Sequence, residues 1–224
     1  MGQSLLTRPD LDLGPQFKKV DLNTLSSHPP IVGSPGSPAP TPDSALAPHS
    51  AQTLVWDGLW PDEAATQAFA TALASALPGW PGGRDARIEL RGNLGAGKTT
   101  LVRHLLRAAG VQGRIKSPTY AVVEPHQVGT GDSAWPIWHF DFYRFSDPQE
   151  WEDAGFRDIF AGPGLKLMEW PDKVAGQLPP ADWVIGLEAI DEDSRRVRIS
   201  AQTPQGLTWL KAWNATPPGA CHAD

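Results

Sequence analysis

Residues 92–99 constrain the fold more than any other stretch of the sequence, and they read GNLGAGKT. The preceding segment, RIELR at 87–91, alternates apolar and charged residues as a strand does, and the following TTLVRHLLRAAG has a helical period that stops at Gly110. Glycines in such a loop let successive backbone N–H groups turn inward, where a Cβ would clash or forbid the dihedral. A strand, a glycine-rich loop and a helix in this order predict a loop that binds phosphate.

The side chains that follow the loop are those expected of a site for a nucleoside triphosphate and Mg²⁺. Lys98 is expected to reach the β- and γ-phosphates, the Thr99 hydroxyl to ligate Mg²⁺, and Thr100 to donate to the α-phosphate. The partial positive charge at the start of the helix adds to the attraction. The predicted phosphate-binding residues are Gly95, Ala96, Gly97, Lys98, Thr99 and Thr100.

Two acidic residues follow apolar segments further along the chain. They are Asp141, in WHFD at 138–141, and Glu169, in LMEW at 167–170. Mg²⁺ needs more oxygen ligands than one threonine supplies, and open α/β sheets bind ligands at the C-terminal ends of their strands. One carboxylate is expected to hold the metal and the other to orient the attacking water, and the spacing does not decide between the two assignments.

Three further side chains near these motifs each admit two interpretations. Thr119, in SPT at 117–119, either contacts Mg²⁺ or its water shell in a loop that senses the γ-phosphate, or forms a plain turn. His139 shares a strand face with Asp141, and a structural role is favoured over metal binding because Mg²⁺ prefers oxygen ligands. Trp170 either fills the core or covers the nucleotide.

Periodicity elsewhere predicts further elements around this unit. A helix is expected to begin at residues 61–63, PDE, because proline and acidic residues suit a first helical turn. Several strands around one phosphate-loop helix predict an α/β fold: a P-loop NTPase-like domain of three layers, with a mixed central sheet flanked by helices. Strands are predicted from Thr53 (TLVWDGL), within 116–126, and at 136–145, 164–170, 183–190 and 195–203, with a closing helix at 206–213.

Composition divides the chain into three parts. Residues 1–53 hold nine of the 23 prolines, seven serines and none of the 10 tryptophans, which predicts a disordered Pro/Ser-rich leader. Residues 54–214 are predicted to form the P-loop domain and residues 215–224 a flexible tail. The net charge of −6 disfavours autonomous nucleic-acid binding. A cytoplasmic location is expected, because the sequence has neither a secretion signal nor an apolar run that could span a membrane.

The motifs GNLGAGKTT, KSPTYAVVEP, HFDFYR and LMEWP occur in that order along the chain. Together they resemble the TsaE (YjeE) family of small bacterial ATPases, from about Pro61 to about Ala212. The resemblance implies ATP and Mg²⁺ as cofactors and a role in the threonylcarbamoyl modification of adenosine 37 in tRNA. It also implies the proteins TsaD and TsaB as partners, with tRNA contacted only through their complex. TsaD would perform the transfer, and ATP hydrolysis would drive or reset the complex.

The resemblance further implies roles for individual residues. Lys98, Asp141 and Glu169 correspond to the family's catalytic residues, with Glu169 beside Thr99 at Mg²⁺ and Asp141 as the catalytic or nucleotide-contacting acid. Asn93 stands where many members of the family carry Asp, and its side chain should point away from the phosphates. The remaining implied contacts are Glu63 and Trp170 near the nucleotide, and Thr119 in a switch-like loop at the metal.

Three other functions are compatible with a phosphate-binding loop. A small-molecule kinase would need an acceptor pocket and usually lid arginines, whereas Arg195, Arg196 and Arg198 lie in an alternating strand. A GTPase switch would carry an Asn/Thr-Lys-x-Asp motif, which the sequence lacks. The third is a nucleotide-dependent binding module whose turnover is incidental, and the effect of partner proteins on hydrolysis distinguishes it.

Overall fold

The computed structural model describes residues 54–146, 150–151 and 154–215. The predicted leader and most of the predicted tail lie outside these residues, so the division of the chain into three parts stays a prediction. No helix in the described part of the chain is both long and apolar enough to cross a membrane. The strands are β1 (Val55–Trp60), β2 (Arg87–Arg91), β3 (Val123–Val128), β4 (Trp135–Asp141), β5 (Leu165–Glu169), β6 (Trp183–Ala189) and β7 (Arg195–Ala201). The helices whose bounds are described are α1 (Glu63–Ala76), α2 (Lys98–Ala109), α3 (Phe156–Ala161) and α4 (Pro204–Ala215).

The described strands form one seven-stranded sheet in the order β1-β7-β6-β2-β5-β4-β3. Its centre is parallel, because β2 pairs in parallel with both β5 and β6, and β4 pairs in parallel with β5. The outer pairs, β3 with β4, β7 with β6 and β1 with β7, are antiparallel. The predicted mixed sheet is therefore confirmed, with β2 at its middle and the glycine-rich loop at the end of β2.

Two hydrophobic clusters cover the opposite faces of this sheet. Ile137 and Leu167 belong to the larger cluster, whereas Phe140 and Met168 belong to the smaller one. Neighbouring residues of a strand point to opposite faces, so the two clusters lie on opposite sides of the sheet. The larger cluster contains buried residues of α1, α2 and α4, and the smaller one contains Phe156 of α3. These helices and the sheet make up the three predicted layers.

Tryptophans attach the last helix to the larger face. The rings of Trp209 and Trp213 in α4 lie 6.4 Å and 6.0 Å from the ring of Trp183 in β6. Trp213 also lies 5.1 Å from Phe69 of α1, measured between ring centroids. Each buried tryptophan removes on the order of 200 Å² of surface from water. Helix α4 therefore stabilises the contact between the sheet and α1, although it lies far from the glycine-rich loop in sequence.

Strand β4 ends four residues earlier than the sequence predicts, a larger difference than at the ends of β5, β6 and β7. The prediction extended to Phe145, but β4 ends at Asp141. The backbone N–H of Tyr143 donates to Asp141 Oδ1 at 3.0 Å, a local bond typical of a turn. Phe142 and Phe145 then pack in the smaller cluster. Phe142 and Phe145 thus continue the apolar pattern of the strand because their side chains are buried, although β4 itself ends at Asp141.

Candidate active site

Three parallel strands end side by side at one edge of the sheet. β2 runs into the glycine-rich loop, β4 ends in Asp141, and β5 ends in Glu169. In the register of the sheet, Glu169 is paired with Leu90 of β2 on one side and with Asp141 on the other. The two carboxylates that the sequence predicted separately are therefore neighbours beside the loop. This edge is where open α/β sheets bind ligands.

Two glycines allow the loop to take its path between β2 and α2. Gly97, directly before α2, has a φ of 101°, in the left-handed region that favours glycine. Gly92 has a φ of 142°, and a Cβ placed there would lie 2.3 Å from the carbonyl oxygen of Leu187 in β6. The loop can pack this closely on β6 only with glycine at position 92. It then enters α2, whose first N–H groups have no partner within the helix.

Lys98 lies inside the loop that precedes it. Its side chain is only 4% exposed, and Nζ donates to the carbonyl oxygens of Gly92 at 2.6 Å and Asn93 at 2.9 Å. Nζ also lies 3.9 Å from the centre of the Trp170 ring, a cation–π contact. Burial lowers the pKa of Lys98, and the nearby Glu169 carboxylate opposes that shift. The ammonium group is thus held between the loop and the acidic strand ends.

Glu169 connects α2 to β4 through both of its carboxylate oxygens. Oε2 accepts a hydrogen bond from the Thr99 hydroxyl at 2.8 Å, and Oε1 lies 2.8 Å from Nε2 of His139. Glu169 is 2% exposed and His139 is fully buried. Because each oxygen has its own partner, the carboxylate has one defined orientation, with Oε2 directed at the start of α2.

Asp141 connects the end of β4 to the loop at 117–119. Its Oδ2 accepts hydrogen bonds from the hydroxyls of Ser117 and Thr119, each at 2.6 Å. Its Oδ1 accepts from the backbone N–H of Tyr143 at 3.0 Å. The two hydroxyls are 2.9 Å apart, so the three side chains form one compact group. Thr119, predicted as a metal contact, therefore lies beside Asp141 at the end of β4, whereas Thr99 contacts Glu169 at the end of the neighbouring strand β5.

Two residues at this edge adopt a left-handed backbone although neither is glycine. Val122 has a φ of 67°, and Trp170 has a φ of 59°. Such a conformation is unfavourable for a β-branched residue and costs on the order of 1–3 kcal/mol at a single position. The backbone of Val122 is held by hydrogen bonds to Pro118 and Asp141. The Trp170 conformation turns the chain directly after Glu169 and leaves the indole over Lys98.

These groups surround a cavity of about 330 Å³, a size in the range of small-molecule sites. Its lining includes nearly all of the residues that the sequence predicted for the site. Glu63 is the exception: it lines a neighbouring cavity of about 120 Å³, and its carboxylate lies 2.8 Å from Nε2 of His104. The larger cavity is lined by Gly95, Ala96, Gly97, Lys98, Thr99, Thr100, Ser117, Thr119, Asp141, Glu169 and Trp170, together with Leu94, Tyr143 and Arg195.

Two residues at the site make contacts that the sequence does not predict. His139 was interpreted as structural, and the structure adds its hydrogen bond to Glu169, a residue 30 positions away. The only available signal was the shared strand face with Asp141. The sequence places Arg195 correctly in a strand. It gives no indication that the Arg195 side chain donates a hydrogen bond to the Ala96 carbonyl in the glycine-rich loop.

The donor set fits a nucleotide with Mg²⁺. The described residues contain no group of three or more His, Cys, Asp or Glu side chains suited to hold a metal ion. Mg²⁺ does not require such a group, since it usually binds through one or two protein oxygens and keeps waters and phosphate oxygens as its other ligands. The Thr99 hydroxyl and the Glu169 carboxylate, in contact with each other, are a pair of this kind. The loop N–H groups and Lys98 provide the complementary donors for phosphate.

The sequence matches one protein-family model over residues 60–197, which include every predicted site residue. The model is described as "Threonylcarbamoyl adenosine biosynthesis protein TsaE". The chain is 38% identical over 154 residues to the tRNA threonylcarbamoyladenosine biosynthesis protein TsaE of Haemophilus influenzae, covering 69% of this chain and 94% of the relative. It is 33% identical over 148 residues to the protein of the same name from Bacillus subtilis, covering 66% of this chain and 85% of the relative.

A solved structure has the same fold. The crystal structure of YdiB from Bacillus subtilis superposes with a TM-score of 0.57 and covers 74% of this chain and 98% of that one. The sequence identity in this comparison is 22%, so it supports the fold alone. The predicted fold class is confirmed by this likeness together with the strand order of the sheet.

Proposed function

The chain belongs to the TsaE family, and on that premise we propose that it is a Mg²⁺-dependent ATPase in the threonylcarbamoyladenosine modification of tRNA. The observation that carries the proposal is the hydrogen bond between Thr99, in the first turn of α2, and Glu169, at the end of β5. It brings a hydroxyl and a buried carboxylate together in the same cavity as Lys98 and the glycine-rich loop. The side chains proposed to ligate the metal and the groups proposed to bind phosphate thus line the same cavity.

Binding of the triphosphate follows from the loop and α2. The backbone N–H groups of Gly95 and Gly97 and those at the start of the helix attract the phosphates, and Lys98 neutralises charge on the β- and γ-phosphates. Thr100, which lines both cavities, would donate to the α-phosphate. Trp170 covers Lys98 and limits the access of water to the ammonium group. Glu63 lines the smaller cavity, and we propose that this cavity receives the nucleoside.

We assign the two carboxylates different roles in ATP hydrolysis. Thr99 and Glu169 would hold Mg²⁺, which when bound neutralises charge on the β- and γ-phosphates. Asp141 would orient the attacking water and respond to the γ-phosphate, because its Oδ2 already bonds the hydroxyls of Ser117 and Thr119. The assignment rests on which carboxylate contacts Thr99, an observation that the sequence spacing could not supply.

The partners proposed for this chain are TsaD and TsaB, with tRNA reached only through their complex. The relatives are named as tRNA threonylcarbamoyladenosine biosynthesis proteins, and the part of that process proposed for this chain is to drive or reset the partner complex by ATP hydrolysis. The acidic chain, with a net charge of −6, also has little attraction for tRNA on its own.

The test is a Lys98→Ala variant in a reconstituted system with TsaD, TsaB and tRNA. Removing the charge that faces the transferred phosphate is expected to lower ATP hydrolysis by about 100-fold or more and to block repeated rounds of modification. Lys211→Ala is the matched control, because Lys211 is exposed on α4. It should leave both readouts unchanged. Radiolabelled phosphate release and modified nucleoside per tRNA are the two measurements.

Each other outcome contradicts a defined part of the proposal. Multi-round modification that continues without hydrolysis would contradict the role of ATP turnover and favour a nucleotide-dependent binding module. Rapid phosphorylation of an added metabolite would instead show a kinase. Hydrolysis that is unaffected by Lys98→Ala would contradict the site itself.

A further inference from the structure

Arg195 lies in the wall that separates the two cavities at the glycine-rich loop. The larger cavity and the smaller one share Ala96, Gly97, Thr100 and Arg195 among their lining residues, and Arg195 is the charged member of that set. Carboxylates of Glu192 and Asp193, from the turn that connects β6 to β7, also line the smaller cavity. Any ligand that extends from one cavity to the other must pass this arginine.

The guanidinium group of Arg195 joins the loop to that turn. Its Nε donates to the carbonyl oxygen of Ala96 at 3.2 Å, a contact between residues 99 positions apart. Its Nη1 donates to the carbonyl oxygens of Asp191 at 3.2 Å, Glu192 at 3.1 Å and Ser194 at 2.9 Å. One planar group therefore holds four backbone carbonyls, three of them in the turn and one in the loop that faces phosphate.

Arg195 differs from the two neighbouring arginines of β7 in the face of the strand on which its side chain lies. Along β7 the alternation of faces places Arg195 on the side of the buried Val197. Arg196 and Arg198 are on the opposite, exposed side, where they pair with Glu188 at 3.0 Å and Asp57 at 2.7 Å. Exposed pairs of this kind contribute little to stability. Arg195 alone of the three directs its guanidinium group to the loop.

Arginine suits this position for a geometric reason. Its five N–H donors have a fixed planar arrangement, whereas a lysine ammonium is a compact charge on a flexible chain that cannot reach all four carbonyls in one orientation. The same group adds a positive charge at the edge of a cavity that receives phosphate. Geometry and charge can be separated experimentally, because lysine preserves only the charge.

We propose that Arg195 is a positioning residue that couples the turn at 190–194 to the phosphate-binding loop, so that both ends of a bound nucleotide meet a preorganised site. The proposal rests on the proposed nucleotide binding and adds a residue to it. Loss of this coupling should weaken binding of the nucleotide in the ground state and transition state alike. Its effect therefore falls mainly on KM, with a smaller effect on kcat.

The experiment compares Arg195→Ala, Arg195→Lys and Arg196→Ala in the full-length chain. Binding of Mg-ADP is measured by titration calorimetry, and KM and kcat for ATP are measured by steady-state hydrolysis. We expect Arg195→Ala to weaken ADP binding and raise KM by about tenfold, with kcat within about threefold, because hydrogen bonds to a charged group are lost. The changes in log Kd for ADP and in log KM should be more than half as large in Arg195→Lys as in Arg195→Ala. Arg196→Ala should behave as the unchanged chain.

Three outcomes would overturn the inference while leaving nucleotide binding intact: unchanged ADP affinity in Arg195→Ala, full rescue by lysine, or an equal loss in Arg196→Ala. Failure of the unchanged chain to bind ADP would instead overturn the proposed function. Circular dichroism and the thermal midpoint are recorded for each variant. If Arg195→Ala does not fold, Arg195→Lys still provides the test, since a charge-only role predicts unchanged affinity for that variant.

Discussion

At the scale of single residues, the site is built from pairs in which one polar group orients another. Thr99 and His139 each take one oxygen of Glu169, while Ser117 and Thr119 share one oxygen of Asp141. A buried carboxylate with unpaired oxygens would be costly, so these partners stabilise the fold as well as the orientation. Of the two acids, only Glu169 has a described hydrogen bond to a side chain in the first turn of α2, and the different roles proposed for them rest on that difference.

His139 offers a test of this orienting effect. Replacement by leucine leaves Glu169 Oε1 without its partner, whereas glutamine retains a donor at similar reach. Loss of such a partner of a metal ligand typically costs 10–100-fold in metal affinity. His139→Leu is therefore expected to raise the Mg²⁺ concentration for half-maximal ATP hydrolysis by about tenfold or more, and His139→Gln by less. Steady-state hydrolysis against a Mg²⁺ series measures both.

The control for this prediction is His126→Leu on the neighbouring strand β3. Among the described hydrogen bonds none joins His126 to Glu169, and burial lowers the pKa of the His126 imidazole. An equal change in His126→Leu would mean that both variants act by disturbing the core. An unchanged Mg²⁺ dependence in a folded His139→Leu protein would show that Thr99 alone is enough to orient the carboxylate.

Residue identities at the site could be predicted from the sequence wherever the signal was local. Lys98 and Thr99 belong to a contiguous motif between a strand and a helix, and Asp141 and Glu169 each follow an apolar run. The pairing between them could not be predicted, because it depends on the register of β4 and β5. Arg195 could not be connected to the loop for the same reason: a contact over 99 positions has no local pattern.

At the scale of elements, helix α4 depends on one close approach of its backbone to the start of β6. A Cβ on Gly206 would lie 2.1 Å from the carbonyl oxygen of Asp182, a backbone atom that cannot rotate away. The carbonyl of Gly206 also accepts a hydrogen bond from Trp183 Nε1 at 2.8 Å. The Asp182 carboxylate also joins the start of β2 to the residue before α4. It accepts hydrogen bonds from the backbone N–H of Arg87 and from the hydroxyl of Thr203.

Gly206→Ala is therefore expected to lower the free energy of unfolding by about 1–3 kcal/mol, the usual cost of inserting a methyl group where there is no space. Thermal or denaturant unfolding measures the change. Gly79→Ala is the matched control, because a Cβ there meets nothing within 4 Å. It should change stability by no more than about 0.5 kcal/mol. Equal stability of the two variants would show that α4 can shift away from β6 at little cost.

The elements themselves were predictable to different degrees. The helical period of α2 and the alternation in β2 are strong signals, and both elements occur where the sequence placed them. The end of β4 was predicted four residues too late, since Phe142 and Phe145 are buried in the smaller cluster and continue an apolar pattern without continuing the strand. An apolar pattern in the sequence indicates that side chains are buried. It does not distinguish a strand from a turn.

At the scale of the whole molecule, the site and the core occupy one continuous part of the chain. The described core begins at β1, the last packed residue of α4 in the larger cluster is Trp213, and the family model covers residues 60–197. Composition predicted a boundary near residue 53 because the apolar and aromatic residues needed for a core are concentrated after it. The strand order could not be predicted in this way, since pairing of β2 with both β5 and β6 is a property of the folded sheet.

A chain that lacks residues 1–53 is accordingly expected to keep the fold and the candidate active site. ATP hydrolysis should stay within about twofold of the full chain, and the thermal midpoint should fall by no more than about 4 °C, equivalent to roughly 1 kcal/mol for a domain of this size. A contrasting truncation that ends at residue 206 removes Trp209 and Trp213, whose rings pack on Trp183, and should not fold. If removal of residues 1–53 also abolishes folding, or lowers the midpoint by much more than about 4 °C, the predicted leader is part of the folded domain, because only packing against that domain could produce so large a loss.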